Sequence, residues 1–164
     1  MGIVLYRVDE RLIHGQVVVG WGGPLRPDRF IVVDDELADS PWEQDLYTLG
    51  LPPGVTASFH GVDEARRLLR AWQDDPARAI LLTRDLATMR RLVTGGALRG
   101  TTINIGGIHH APGRRAILPY VYLNADEERE VTALADEGLD VVARDLPGAR
   151  RVGLAELLRR EGRG

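Results

Sequence analysis

The sequence predicts a three-layer α/β domain, with helices on both faces of a mainly parallel central sheet of about seven strands. Three observations carry that prediction. Short, nearly continuous apolar runs rich in Val, Ile and Leu recur along the chain, as at Ile3 to Val8, Arg29 to Val33 and Ala79 to Leu82; such runs suit strands buried on both faces of a parallel sheet. They alternate with segments whose apolar residues return at offsets of three, four and seven, the stripe of an amphipathic helix. Gly, Pro, Asn and Asp punctuate the boundaries. At 164 residues the chain suits one domain, 1–164, able to bury a substantial core.

Taken in order, Ile3 to Val8 is the first strand, and the polar turn after it is a loop at its carboxyl end. Gly15 to Trp21 starts a short helix that Gly22-Gly23-Pro24 ends. Arg29 to Val33 is the second strand. Asp34-Asp35-Glu36 then suits a helix N-terminus, where negative charge meets the helix dipole; no histidine or further acid is spaced to complete a metal site. Ser40 as N-cap and Pro41 at the first helical position begin a helix through Leu49, stopped by Gly50 to Gly54. Val55 to Phe59 is the third strand, and Asp63 caps a helix whose Ala65, Leu68, Leu69 and Trp72 form a core stripe. Ala79 to Leu82 is the fourth strand, ending at Thr83-Arg84-Asp85, before a helix marked by Leu86, Met89 and Val93.

Thr101 to Ile105 is the fifth strand, followed by Gly106-Gly107 and His109-His110. Ala116 to Leu123 is the sixth, interrupted by Pro119, which lacks a backbone donor and points to an edge or a bulge. Asn124 and Glu127 have capping-box spacing for a helix carrying Val131, Leu134 and Ala135. Gly138 closes that helix before the seventh strand, Leu139 to Ala143. Pro147-Gly148 turns the chain into a short amphipathic helix with Leu154, Leu157 and Leu158, then a charged tail.

Composition narrows the function classes. A formal net charge of −3 excludes a globally basic nucleic-acid binder. With 44% hydrophobic and 27% charged residues the chain is neither disordered nor fibrous. The absence of cysteine removes disulfides, thiolate metal ligands and cysteine nucleophiles together. No signal pattern and no apolar run near the ~20 residues of a membrane span point to a cytoplasmic protein. Arginine pairs at 66–67, 90–91, 114–115 and 150–151 read as solvated charge or as contacts for a protein partner.

Chemistry concentrates in Tyr6-Arg7-Val8-Asp9-Glu10-Arg11-Leu12-Ile13-His14-Gly15-Gln16-Val17. Open α/β sheets place sites on loops at the carboxyl ends of strands. There, free backbone N–H groups and the positive helix end favour an anion, phosphate above all. Arg7 and Arg11 add guanidinium forks of the same preference. Asp9 can accept from one imidazole nitrogen of His14 and leave the other nucleophilic. A lone histidine beside an apolar run is more often structural; these neighbours make His14 the candidate carrier of function. Thr83, also at a carboxyl strand end, has two readings: a hydroxyl donor to a phosphoryl oxygen beside His14, or a cap or turn residue. Gly106 and Gly107 allow a sharp turn or close backbone approach to a ligand. His109 and His110, being adjacent, point different ways and lack partners for zinc. Gly-x-x-x-x-Gly-Lys-Ser/Thr is absent.

The string Arg7-Val8-Asp9-Glu10-Arg11-Leu12-Ile13-His14-Gly15-Gln16-Val17, with Trp21 shortly after, closely resembles the active-site segment of the IIB components of the mannose/fructose/sorbose family of the bacterial sugar phosphotransferase system. Ile103-Asn104-Ile105-Gly106-Gly107-Ile108-His109 is similar to that family's later glycine-rich loop, and the resemblance spans nearly the whole chain. It implies the same three-layer fold, with an antiparallel strand near one edge. It also implies that His14 accepts a phosphoryl group from a IIA protein and passes it to a sugar carried by membrane IIC and IID components, a phosphotransferase with an alcohol acceptor.

In that reading neutral His14 attacks phosphorus in line, while Arg11 and the backbone donors of Leu12, Ile13, Gly15 and Gln16 stabilise the equatorial oxygens. Arg7 is a weaker candidate for the same work, and His109 lines the site. The family is associated with phosphorylation on Nδ1; Asp9 then does not orient that atom and braces the loop or an arginine. Neither metal nor cofactor is implied. The chain would lie in the cytoplasm, peripheral to the inner membrane through IIC and IID, and a homodimer is compatible with it. The alternative is a regulatory phosphocarrier of a partial phosphotransferase system, without sugar transport; a noncovalent anion- or nucleotide-binding domain ranks third. The resemblance leaves the sugar to other chains.

Overall fold

The computed structural model describes residues 2–159. Nine strands form: β1 (Ile3–Val8), β2 (Arg29–Val33), β3 (Thr56–His60), β4 (Ala79–Thr83), β5 (Thr102–Ile105), β6 (Arg115–Leu118), β7 (Val121–Leu123), β8 (Asp140–Ala143) and β9 (Val152–Gly153). Seven build the central sheet in the order β3-β2-β4-β1-β5-β8-β9. All neighbours run parallel except β8 and β9, antiparallel at one edge. The expected three-layer architecture, with its antiparallel edge strand, is therefore present.

β4 shows why the apolar runs are continuous. It is buried along its whole length, with Ala79 and Leu81 packed into one core and Ile80 and Leu82 into the other. Each fully buried Leu or Ile contributes about 2 kcal/mol of transfer free energy, so both faces reward apolar residues. One face is covered by α4 (Val62–Asp74), α5 (Leu86–Val93) and α6 (Ala125–Asp136). The other is covered by a π-helix (Gln16–Trp21) and α2 (Asp35–Ala38), through Val17, Trp21 and Leu37.

Local signals explain most of the ends. Asp34 caps α2 by accepting from Leu37 N–H, and Asn124 with Glu127 forms the expected capping box at α6. Gly138 follows α6 with φ +86°, the left-handed region that glycine enters without steric cost. Ala65, Leu69 and Trp72 of the α4 stripe are buried as expected.

Four expectations are corrected. Ala116 to Leu123 is not a strand of the main sheet: Pro119 lies in the turn of a separate antiparallel hairpin, β6 with β7. Gly22-Gly23-Pro24 does not end the first helix but continues it as α1 (Gly22–Leu25), which closes at Arg26 with φ +51°. Ser40 precedes α3 (Pro41–Thr48) without a side-chain cap, and Asp63 is not the cap of α4. That helix begins after Gly61, and its first N–H, from Val62, donates to Asp35 at 2.9 Å. A short α7 (Leu154–Arg159) follows β9 and buries Leu157; the side chain of Leu154 and the charged tail lie outside the described residues.

Candidate functional site

Strand β1 ends at the middle of the sheet, between β4 and β5, so its loop emerges at the carboxyl edge. Arg7, in an otherwise apolar strand, is fully buried and holds that loop from beneath. Its Nε and Nη2 donate to Asp9 Oδ2 at 3.3 and 3.2 Å. Nη1 donates to the Arg144 carbonyl at 2.8 Å and to Asn104 Oδ1, and Nη2 also reaches the Asp145 carbonyl at 3.2 Å. The guanidinium lies 5.2 Å from the centre of the Trp21 ring. With its donors occupied inside the protein, Arg7 supports the site rather than facing a ligand. Burial pulls its pKa down, opposed by the charge and hydrogen bonds of Asp9.

Asp9 is fully buried too. Its Oδ2 is shared between Arg7 and His14 Nε2, the latter at 3.2 Å, and its Oδ1 accepts Arg11 N–H at 3.1 Å. Burial alone would raise the carboxyl pKa; the His14 hydrogen bond, the Arg7 charge and the Arg11 N–H together outweigh it and hold the group below its ordinary value. Asp9 is therefore an anion, and an anion at 3.2 Å takes the proton-bearing nitrogen of a neutral imidazole. In a neutral His14 this contact calls for Nε2 as the donor, with the lone pair on Nδ1.

The loop is shaped by two apolar residues that turn inward. Leu12 and Ile13 are buried in the Val17 and Trp21 core, leaving the His14 side chain 13% exposed at the rim. Leu12 has φ +55°, a left-handed conformation costly for a side chain with Cβ. Its N–H returns to the Asp9 carbonyl at 3.0 Å, so Leu12 is corrected as an anion donor: it stabilises the turn instead. Among the described residues the N–H groups of Ile13, His14, Gly15 and Gln16 have no protein acceptor. The His14 carbonyl starts the π-helix by accepting from Val17 and Val18 at 3.0 and 2.9 Å. Arg11 is exposed, with Nη2 on Gln16 Oε1 at 2.9 Å, and Gln16 Nε2 donates to Asp145 Oδ1 at 3.0 Å.

The loop after β5 forms the second wall. Gly106 is required by close approach: a Cβ there would come within 2.2 Å of the Arg7 guanidinium. Gly107 accepts from Glu10 N–H at 2.9 Å. The Glu10 carboxylate takes His109 N–H at 2.6 Å and Arg114 Nη1 at 2.8 Å, with His109 Nδ1 at 3.2 Å. The His109 ring is half exposed and borders Gly107. His110 packs edge-on against Tyr122.

Thr83 stands in register with Val8, and its carbonyl accepts Asp9 N–H at 2.9 Å. The side chain is fully buried and its hydroxyl donates to the Asp85 carbonyl at 3.0 Å, the turn reading of the two. The sequence therefore brings together Arg7, Asp9, His14, Gly106 and His109 as expected. It underplays Asn104, Glu10, Arg114 and Asp145, of which only Asn104 carries a signal, as a polar residue inside a strand. Among the described residues no group of three His, Asp or Glu could hold a metal ion, and no helix is long and apolar enough to cross a membrane.

Residues 3–163 match the family described as PTS system sorbose subfamily IIB component. The chain is 32% identical to the N-acetylgalactosamine-specific phosphotransferase enzyme IIB component 2 of Escherichia coli K12, over 95% of this chain and 98% of that protein. It is 29% identical to the fructose-specific EIIB component of Bacillus subtilis 168, over 97% of each. It is also 32% identical to the mannose-specific EIIAB component of E. coli K12, spanning 96% of this chain but 49% of that protein. Its fold superposes on the crystal structure of manxB from Thermoanaerobacter tengcongensis with a TM-score of 0.83 at 32% identity, covering 96% and 95% of the two chains. The chain belongs to the sorbose-subfamily IIB components of the sugar phosphotransferase system.

Proposed function

We propose that this IIB component carries a phosphoryl group on His14 Nδ1, received from a phosphohistidine on a IIA protein and delivered to a sugar at a IIC/IID permease. The observation that carries the reading is Asp9 Oδ2 at 3.2 Å from His14 Nε2. That contact supports a proton on Nε2 and Nδ1 as the nucleophile, with Asp9 holding the opposite nitrogen. When Nδ1 forms its bond to phosphorus, the N–P bond of the donor breaks and the donor histidine regains its lone pair. The imidazole becomes cationic, and the buried Asp9 anion stabilises it. In the second step the His14 N–P bond breaks, the imidazole leaves as the neutral Nε2–H form, a P–O bond forms to a sugar hydroxyl, and the hydroxyl proton passes to solvent.

Transfer between two histidines asks for positioning and charge stabilisation more than for acid–base chemistry. Arg11 and the unoccupied N–H groups of Ile13, His14, Gly15 and Gln16 are the groups available for the phosphoryl oxygens. His109 and Thr83 take supporting roles, one bordering the site and one anchoring Asp9. A IIA partner is supported by the mannose-specific relative, whose name joins A and B units in one protein. The sugars named for relatives, N-acetylgalactosamine, fructose and mannose, support an acceptor in the class of sugars and sugar derivatives. The work is done at the cytoplasmic side, against the permease.

The test is labelling with phosphoenolpyruvate, the general phosphotransferase proteins and a IIA protein. An acid-labile phosphoprotein forms, and His14→Ala abolishes it. Label that persists in His14→Ala overturns the site.

A further inference from the structure

Asp145 lies just past the end of β8 and reaches the phosphorylation loop through a single intervening side chain. Its carbonyl accepts from Trp21 Nε1 at 2.9 Å and from Arg7 Nη2 at 3.2 Å, which ties its backbone to the floor of the site. Its carboxylate accepts from Gln16 Nε2 at 3.0 Å, and the other end of that amide, Oε1, accepts from Arg11 Nη2 at 2.9 Å. Arg11 and Gln16 stand on either side of His14 in the chain, so this second contact bridges the loop across it. The π-helix that begins at Gln16 packs directly on the turn after β8: a Cβ on Gly20 would come within 2.5 Å of Leu146 Cδ2. That turn is closed by Ala149 N–H on the Leu146 carbonyl at 2.9 Å and by Arg144 Nε on the Ala149 carbonyl at 3.0 Å. Asp145 and Gln16 are thus held at a fixed separation.

We infer that Asp145 is a positioning residue for phosphoryl transfer, acting through Gln16 to aim Arg11, an inference that rests on the carrier role of His14. Arg11 needs such a guide. Its N–H is fixed by Asp9, but its side chain is long and exposed, and ordering it during transfer costs entropy that a standing hydrogen bond has already removed. The Gln16 amide supplies that bond in only one of its two orientations; reversed, its NH2 group meets the guanidinium, donor against donor. A carboxylate only accepts, so Asp145 takes the NH2 end and leaves Oε1 for Arg11. The amide between them also keeps charges apart. An acid in direct contact with Arg11 would compete with the phosphoryl oxygens for the guanidinium. Gln16 passes on direction and leaves the positive charge for the incoming anion.

The experiment follows the single-turnover rate of His14 labelling from a phosphorylated IIA protein, using the full chain as wild type, Asp145→Ala, Asp145→Asn and Gln16→Ala, each alone and combined with Arg11→Ala. All these variants keep the Asp145 carbonyl that Arg7 and Trp21 use. Asp145→Ala and Gln16→Ala are each expected to slow labelling about tenfold. Asp145→Asn, whose Oδ1 still accepts from Gln16 Nε2, is expected to stay within about threefold of wild type. In the Arg11→Ala background none of the three adds more than about twofold, because a residue that works by aiming Arg11 has nothing left to aim. Equal slowing with and without Arg11 assigns Asp145 a merely structural role and overturns the proposal. A wild-type rate in Asp145→Ala, a wild-type rate in Arg11→Ala, or an Asp145→Asn as slow as Asp145→Ala overturns it too. Gln16→Ala breaks the same link from the other side and decides the matter alone if Asp145→Ala does not fold. A wild type that no phosphorylated IIA protein labels, or label that persists in His14→Ala, overturns the carrier role itself and the proposal with it.

Discussion

Asp9 Oδ2 lies 3.2 Å from His14 Nε2, and the same oxygen receives both Nε and Nη2 of Arg7. A buried cation fixes a buried anion, and the anion holds the His14 imidazole at the rim. The pair beneath the site has no solvent to fall back on, since both side chains are fully buried. Such a pair is costly to break from either side.

Asp9→Asn tests this arrangement with little change in shape. The carboxylate accepts from Arg7, His14 and the Arg11 N–H at once, whereas an amide has one accepting and one donating end. Either orientation sets the NH2 group against a donor. Where it faces His14, it captures the Nε2 lone pair and moves the proton to Nδ1. The rate of phosphoryl acceptance is expected to fall by about a hundredfold or more, and urea unfolding to show a loss of about 3 kcal/mol. Normal labelling kinetics in this variant would sink the assignment of Nε2 to Asp9.

The same carboxyl sets a pH dependence. Its folded-state pKa is depressed below the ordinary 3.8, so its stabilisation is complete above the unfolded value and is lost as pH falls through the folded one. The wild type is expected to lose stability as pH drops from about 4 downward, and Asp9→Asn to lose less over the same window. Urea midpoints at stepped pH measure the difference. Parallel curves for the two proteins would show that Asp9 does not titrate with unfolding.

Much of the site was legible because its residues violate local pattern. Arg7 and Asn104 interrupt apolar strands, and a buried polar residue must meet a partner. His14 follows two apolar residues that anchor the loop. The fold was legible for the opposite reason: β2 and β4 are continuously apolar because both faces are buried. What pattern does not carry is long-range pairing. The Glu10 to Arg114 contact spans 104 positions and the Trp21 to Asp145 contact 124, and no local signal links them. Asp63 has the look of a cap, yet Asp35, brought near by the β2 to β3 pairing, took that role at α4. Thr83 has the position of a ligand at its strand end, and only the nearby Asp85 carbonyl decides where its hydroxyl points.

Gly106→Ala is expected to disable the site without touching His14. The added methyl would lie 2.2 Å from Arg7 Nη2. The guanidinium is held by Asp9, Asn104 and the carbonyls of Arg144 and Asp145, so it yields only by breaking those bonds. The expected cost is about 1 to 3 kcal/mol by denaturant titration, with slower phosphoryl acceptance. Gly113→Ala, with open space at its Cβ but φ +85°, serves as the comparison: it loses stability only through the strain of an alanine in the left-handed region and keeps its labelling rate.

Arg11 offers the reverse separation of stability from activity. Its side chain is exposed and its polar contact is with Gln16 at 2.9 Å. Arg11→Ala is expected to change stability by less than about 0.5 kcal/mol while slowing phosphoryl acceptance by about a hundredfold. A wild-type rate would remove Arg11 from the phosphoryl site and leave the backbone N–H groups as its whole support.

Leu12 gives a test of the loop conformation itself. Its side chain is fully buried, yet its backbone has φ +55°. Leu12→Ala loses the isopropyl end of the side chain and Leu12→Gly the whole isobutyl group, each at about 2 to 5 kcal/mol. In most positions glycine is then the worse of the two, because it releases more conformational freedom on unfolding. In the left-handed region the order reverses, since alanine keeps a Cβ that strains there by about 1 kcal/mol. Leu12→Gly is therefore expected to unfold at higher urea than Leu12→Ala. It should also label more slowly than wild type, since a glycine widens the conformations open to the turn that aims His14. The opposite order of stability would mean that the loop reaches its shape without a left-handed residue at position 12.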